Sequence, residues 1–124
     1  MSFITIIPFQ SNDQDEVKQL ILDGLVEHWG FLDRTKNPDL DDIASYYAGA
    51  TFLVAWMEGG IVGTGALLPR TNEVAEIVRM SVKKDNRRQG IGWRILQALL
   101  AEAREQGFKR IILETTATWK EVIE

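Results

Sequence analysis

Six consecutive residues, Arg87-Arg88-Gln89-Gly90-Ile91-Gly92, put two guanidinium groups and two glycines where a strand-like run gives way to an amphipathic helix. Ahead of them, Ala75-Glu76-Ile77-Val78-Arg79-Met80-Ser81-Val82 is largely apolar and β-prone. Behind them, Ile91, Ile95, Leu96, Leu99, Leu100 and Ala103 recur at helical spacing as far as Gly107. A glycine turn at a helix start leaves the first-turn N–H groups without intrahelical partners, and the positive end of the helix dipole lies at the same place. Glycine holds no side chain between the backbone and a ligand, so the turn is suited to a phosphate or pyrophosphate. Arg87 and Arg88 add planar cations that match phosphate geometry. Glu76, fourteen residues before Gly90, is a carboxylate on the strand that feeds the turn.

Composition bounds what such a turn can serve. The 124 residues suffice for one domain with a core of its own. A hydrophobic fraction of 45% and a charged fraction of 26% are those of an ordinary globular protein. The net charge of -4 gives no general attraction for nucleic acid or for an anionic membrane. With no cysteine, disulfide frameworks and thiolate zinc sites are excluded. The single His28 argues against a histidine metal centre or a Ser-His-Asp triad, so no metal is expected. Met1-Ser2-Phe3-Ile4-Thr5 lacks the basic start of a signal peptide, and no apolar run approaches ~20 residues. The expected setting is cytoplasmic.

The elements that must position the turn follow in chain order. Phe3–Phe9 reads as a first strand, stopped by Pro8 and a polar Gln10-Ser11-Asn12. Ser11 or Asp13 caps a helix running to about His28, with Val17, Leu20, Ile21 and Leu25 on its buried stripe and Gly30 at its end. A polar linker, Asp33 to Pro38, leads to a second short helix over Asp39–Ala48. Thr51–Met57 and Ile61–Leu68 form an antiparallel hairpin about Glu58-Gly59-Gly60. Val74–Val82 is the strand before the glycine turn, and the helix Ile91–Gln106 ends at Gly107. Lys109–Thr115 is a strand, parallel to its predecessor because a helical crossover joins them. Thr118–Glu124 reads as a helix just begun, with Thr118 as cap and Glu121 in capping-box position.

This order, strand–helix–helix–hairpin–strand–glycine turn–helix–strand, resembles the GCN5-related N-acetyltransferase (GNAT) family. Arg87-Arg88-Gln89-Gly90-Ile91-Gly92 fits that family's [Gln/Arg]-x-x-Gly-x-[Gly/Ala] motif, and Met80-Ser81-Val82 and Leu113-Glu114-Thr115 are similar as well. The likeness spans roughly Phe3 to Glu124. A Gly-x-Gly alone is weak, but here it has the right elements on both sides. The resemblance implies a mixed α/β (α+β) fold. It consists of a mostly antiparallel central sheet flanked by helices, forming one domain over 1–124. It also implies two further strands, so the chain reads as C-terminally incomplete. It implies acetyl-CoA as co-substrate and acyl transfer to a primary amine by direct attack in a ternary complex. The backbone of Arg88, Gln89, Gly90, Ile91, Gly92 and Trp93 would take the pyrophosphate, with Arg87 beside them. Met80, Ser81 and Val82 would lie along the pantetheine arm, pairing with it as an added strand does, and a backbone N–H there would face the thioester oxygen.

An attacking amine must shed a proton, and Glu76 matches a glutamate base of some protein-acetylating members. Its plainer reading is a solvated carboxylate or a partner of Arg79; Glu73 and Glu114 are poorer candidates for the base. The family's tyrosine acid would fall just past Glu124, and Trp119 stands where many members have asparagine, so no general acid is assigned. Lys83-Lys84-Asp85-Asn86-Arg87-Arg88 reads as a solvated loop beside an anionic cofactor rather than a nucleic-acid patch. Trp93 serves either cofactor or packing. Gly63 and Gly65 mark a bulge in preference to close substrate approach. Asp39, Asp41 and Asp42 read as favourable charge at a helix start, not as metal ligands. His28 and Trp29 read as packing or capping at a helix end, and the family's use of this region adds His28, Trp29, Phe31, Tyr46 and Tyr47 as candidates to shape an acceptor site. Two other functions remain: a non-catalytic acyl-CoA-binding or interaction module, and, more remotely, another nucleotide-binding α/β domain. The last lacks both a Gly-x-Gly-x-x-Gly after the first strand and a Gly-Lys-[Ser/Thr]. The acceptor, a small molecule or a protein, is not named by the sequence, and a shortened sheet would leave an edge that favours a homodimer.

Overall fold

The structure is a computed structural model that describes residues 3–30 and 37–113, with only the backbone at His28 and Trp29. The readings made for Phe31, the 33–36 linker, Glu114, Thr115 and Thr118 onward lie outside the described residues. Five strands form one sheet whose spatial order equals chain order: β1 (Thr5–Pro8), β2 (Thr51–Met57), β3 (Gly60–Pro69), β4 (Val74–Val82) and β5 (Arg110–Leu113). The first three pairings are antiparallel and β4–β5 is parallel. The parallel step is the one bridged by a helix, α3 (Ile91–Glu105), as a crossover requires.

On one face lies α1 (Gln14–Trp29), ended by Gly30 in the left-handed region at φ 81°. Asp13 reaches back with its carboxylate to the Gln10 N–H at 3.0 Å, closing the single 3₁₀ turn that leads into the helix. Val17, Leu20 and Ile21 are buried, as the stripe predicted. The second helix differs from expectation. Residues Pro38–Asp41 form a 3₁₀ turn, and only Ile43–Tyr46 is helical, called α2 here. Asp42, extended at φ -151°, breaks the two apart and caps the second through the Ser45 N–H at 3.2 Å. A short polar side chain that can bond the backbone favours such a break over a continuous helix.

α3 covers the other face. Ile91, Ile95, Leu96 and Leu99 are buried against Val62, Leu67 and Ile77 of the sheet. Each such side chain contributes about 1.5–3 kcal/mol on burial. The helix comes close because Gly63 and Gly65 lie beneath it: an added Cβ would meet Ile95 Cδ1 at 2.8 Å from Gly63, and Met80 Sδ at 2.6 Å and Ile95 Cγ2 at 2.7 Å from Gly65. The sheet also carries two irregularities. Ala55 pairs with Gly63 but Trp56 with Ile61, so β3 holds an extra residue at Val62. Thr64 pairs with Ser81 but Ala66 with Val78, so Arg79 and Met80 of β4 together oppose Gly65 alone. The expected bulge is therefore present, but at Gly65 the strand with the extra residue is β4. The two glycines themselves serve the close approach of α3.

Candidate functional site

The glycine turn joins the end of β4 to α3 through a 3₁₀ turn at Lys84–Asn86. Arg88 (φ 63°) and Gly90 (φ 79°) are both left-handed. Left-handed residues in such a turn can aim successive N–H groups to one side, the arrangement of an anion nest. Gly90 is the N-cap of α3 and, among the described residues, no side chain caps that end. Nothing lies within 4 Å of where a Gly90 Cβ would stand, so the cradle opens to solvent. Ile91 is buried in the core, which fixes the helix start and leaves its backbone as its outward part. Arg88 and Gln89 are exposed, as is Trp93 at 46%, so Trp93 stands beside the cradle rather than in the core. These donors and their curvature fit a pyrophosphate.

Arg87 is placed differently from its neighbours. Its Nη1 and Nη2 donate to both Glu27 carboxylate oxygens of α1, at 2.5 and 2.8 Å, and its Nε donates to the Val82 carbonyl at 3.1 Å. The guanidinium thus clamps the end of α1 to the turn, and the hydrogen bonds from it hold the Glu27 carboxyl below its ordinary range. The sequence gives no sign of this partner, sixty residues away.

Along β4 the side chains sort by face. Met80 and Val82 pack with the α3 core, while Ser81 turns toward α1, its Oγ 3.0 Å from the position of an added Gly24 Cβ. What these three residues present along the strand edge is backbone. β4 and β5 pair only from Val74–Arg110 to Ile77–Leu113 among the described residues. Glu76 sits in the paired part, opposite Leu68 and Ile112, and its Oε1 receives the Arg70 guanidinium at 2.8 Å from Nε and 2.5 Å from Nη2. Its partner is therefore Arg70, not Arg79.

Arg79 instead turns toward the segment before α2. Its Nε and Nη2 donate to Asp39 Oδ2 and Oδ1 at 2.9 and 2.7 Å, and Nη2 also donates to Asn37 Oδ1 at 3.0 Å. The Tyr47 hydroxyl donates to Asp39 Oδ2 at 2.7 Å. Burial acts to raise the Asp39 carboxyl, but the bonds from Arg79 and Tyr47 outweigh it and hold it below the usual value. Burial, followed by the adjoining Asp39 carboxylate, pushes the Tyr47 phenol well up. The three aspartates do stand at helix starts, Asp39 and Asp41 in the first turn of the 3₁₀ segment and Asp42 as the cap of α2, and two of them have further partners: Asp41 pairs with Lys18 at 2.7 Å, and Asp39 anchors the ion pair to Arg79. A groove of about 630 Å³ opens beside Phe9, Tyr47 and Phe52 at the Thr51 end of β2, away from the glycine turn, which follows the Val82 end of β4.

Sheet order, parallel crossover and nest define an acyl-CoA N-acyltransferase type of fold, and the sequence agrees: a model of the Acetyltransferase (GNAT) family matches residues 15–122. The chain belongs to that family. It is 35% identical over 92 residues to Uncharacterized N-acetyltransferase YjgM of Escherichia coli K12, covering 70% of this chain and 55% of that protein. The chain spans about half the length of the curated relatives it matches. A GNAT-family acetyltransferase from Staphylococcus aureus Mu50 superposes with a TM-score of 0.86 at 27% identity, over 98% of this chain and 78% of that one. N-acetylglutamate synthase from Neisseria gonorrhoeae, solved with coenzyme A and N-acetyl-glutamate, shares the fold at a TM-score of 0.76 and 24% identity, over 98% and 27%.

Proposed function

We propose that this chain carries out acetyl-CoA-dependent N-acetylation of a primary amine by direct attack in a ternary complex. The observation that carries the reading is the uncapped start of α3, with Arg88 and Gly90 left-handed, directly after the strand β4. Acetyl-CoA supplies a thioester whose carbonyl an amine can attack, with CoA leaving as the thiolate. The backbone N–H groups of the turn and helix start, from Arg88 to Trp93, would hold the pyrophosphate. The backbone of Met80, Ser81 and Val82 would run beside the pantetheine amides and place an N–H at the carbonyl oxygen, where negative charge develops. Glu76 is proposed to take the amine proton; both Arg70 contacts fall on Oε1, which fixes the carboxylate and leaves Oε2 to act. The fold shared with a synthase solved with coenzyme A supports the choice of co-substrate.

The test is calorimetric titration of acetyl-CoA into the parent chain and into Gly90→Glu, which adds bulk and negative charge to the cradle. Saturable heat in the parent, abolished in a folded variant, supports the reading, and an amine screen with free-thiol detection then measures turnover. Equal binding by both would place the cofactor elsewhere. Binding without turnover on any amine would favour a non-catalytic acyl-CoA module.

A further inference from the structure

Arg79 is an L-residue held at φ 56°, in the extra position of the β4 bulge. A non-glycine residue there costs on the order of 1–3 kcal/mol and persists only where its surroundings over-determine it. Both of its ends are held. The fully buried Thr64 donates its hydroxyl to the Arg79 carbonyl at 2.8 Å, from the strand that pairs with the bulge. The guanidinium is gripped in bidentate fashion by Asp39, 40 residues earlier in the chain, and the Tyr47 hydroxyl completes the Asp39 shell. We propose that Asp39 and Thr64 are positioning residues for the acetyl transfer proposed above. Through Arg79 they hold the bulge that sets the backbone of Met80 and Ser81 where the thioester would lie. The clamp spans two parts of the site. Asp39 belongs to the segment leading into α2, on the α1 face of the sheet, and Arg79 belongs to the strand that would run beside the cofactor. Misplacing reacting groups by about 1 Å costs on the order of a hundredfold in rate, so the clamp acts on turnover more than on cofactor affinity.

Asp39→Asn keeps the side-chain shape but weakens the bidentate ion pair, and Thr64→Val exchanges the hydroxyl for a methyl group of similar size. Each is compared with the parent for kcat, for the KM of acetyl-CoA, and for amide hydrogen exchange at Arg79–Ser81, at a temperature where circular dichroism shows all three folded. The expected result is faster exchange confined to the bulge and a kcat at least about tenfold lower, with KM for acetyl-CoA within about threefold. The double variant should lose less than the product of the two single losses, since both act through Arg79. Unchanged exchange in both variants overturns the clamp. Faster exchange with kcat within twofold overturns its catalytic part. A parent that turns over no amine overturns the transfer reading and this proposal with it, and the exchange data still show whether the clamp itself exists.

Discussion

Glu76 is the residue whose role is most sharply exposed to experiment. It lies beside Arg70 in the paired part of β4, where a carboxylate could be nothing more than half of a surface ion pair. Such pairs are worth about 0–1 kcal/mol, so Glu76→Gln should leave the unfolding midpoint nearly unchanged. As the proposed base, the same change should lower kcat by about 10²–10⁴ while acetyl-CoA binding stays intact. A kcat within threefold of the parent in a stopped assay of thiol release would remove Glu76 from the mechanism. What could be read about single residues depended on how local their partners are. The Gly90 turn could be read because a change of hydrophobic period and a helix start coincide within a few residues. The partners of Arg79, Arg87 and Glu76 could not, since each pairing depends on which elements meet. A left-handed arginine has no signature in sequence at all.

At the scale of elements, the contact between α3 and the sheet is the one that places the cradle. It depends on Gly63 and Gly65, which let Ile95 and Leu99 sit against the strand backbone. Gly65→Ala would put a methyl group 2.6 Å from Met80 Sδ and 3.0 Å from Leu99 Cδ1. The methionine can yield but Ile95 and Leu99 are walled in, so a loss of about 1–3 kcal/mol is expected in denaturant unfolding. A variant as stable as the parent would show that the helix can lift without cost. Strand glycines in isolation read as a bulge, their common use, and register shifts do occur here. Which helix presses on them is knowable only once the crossover is in place. The second helix reads too long in the sequence for a related reason: Leu40, Ile43 and Tyr47 keep a helical spacing across Asp42, and only the local bond from the Ser45 N–H to Asp42 shows the break. Strands β1 to β5 and helices α1 and α3 are legible from periodicity and from proline and glycine stops, within a few residues at their ends.

For the molecule as a whole, the half-buried Asp39–Arg79 pair joins the segment before α2 to the sheet, so its titration should be felt in global stability. The folded carboxyl is held below its ordinary value, near 3.9 in an unfolded chain. Its contribution is therefore fully present above about pH 4 and is lost as pH falls through the lower folded value. Acid unfolding followed by circular dichroism should show a steep fall below about pH 4, and Asp39→Asn should be less stable at neutral pH but flatter in acid. An identical acid limb in parent and variant would mean that other carboxylates govern it. Tyr47, raised in the fold, stays neutral well into alkaline solution, so its share is lost only above about pH 10.

The clamp of Arg87 on Glu27 also sets how far the turn can be felt from solution. With that guanidinium already neutralised, Lys83, Lys84 and Arg88 carry the positive charge around the cradle, opposed by Asp85. Their field is screened within about 8 Å at physiological ionic strength, and the chain behind them has a net charge of -4. The net charge of the chain therefore adds no long-range attraction for an anion. For the pyrophosphate site proposed above, the backbone donors of the nest would therefore act at contact, by fit to a curve of N–H groups.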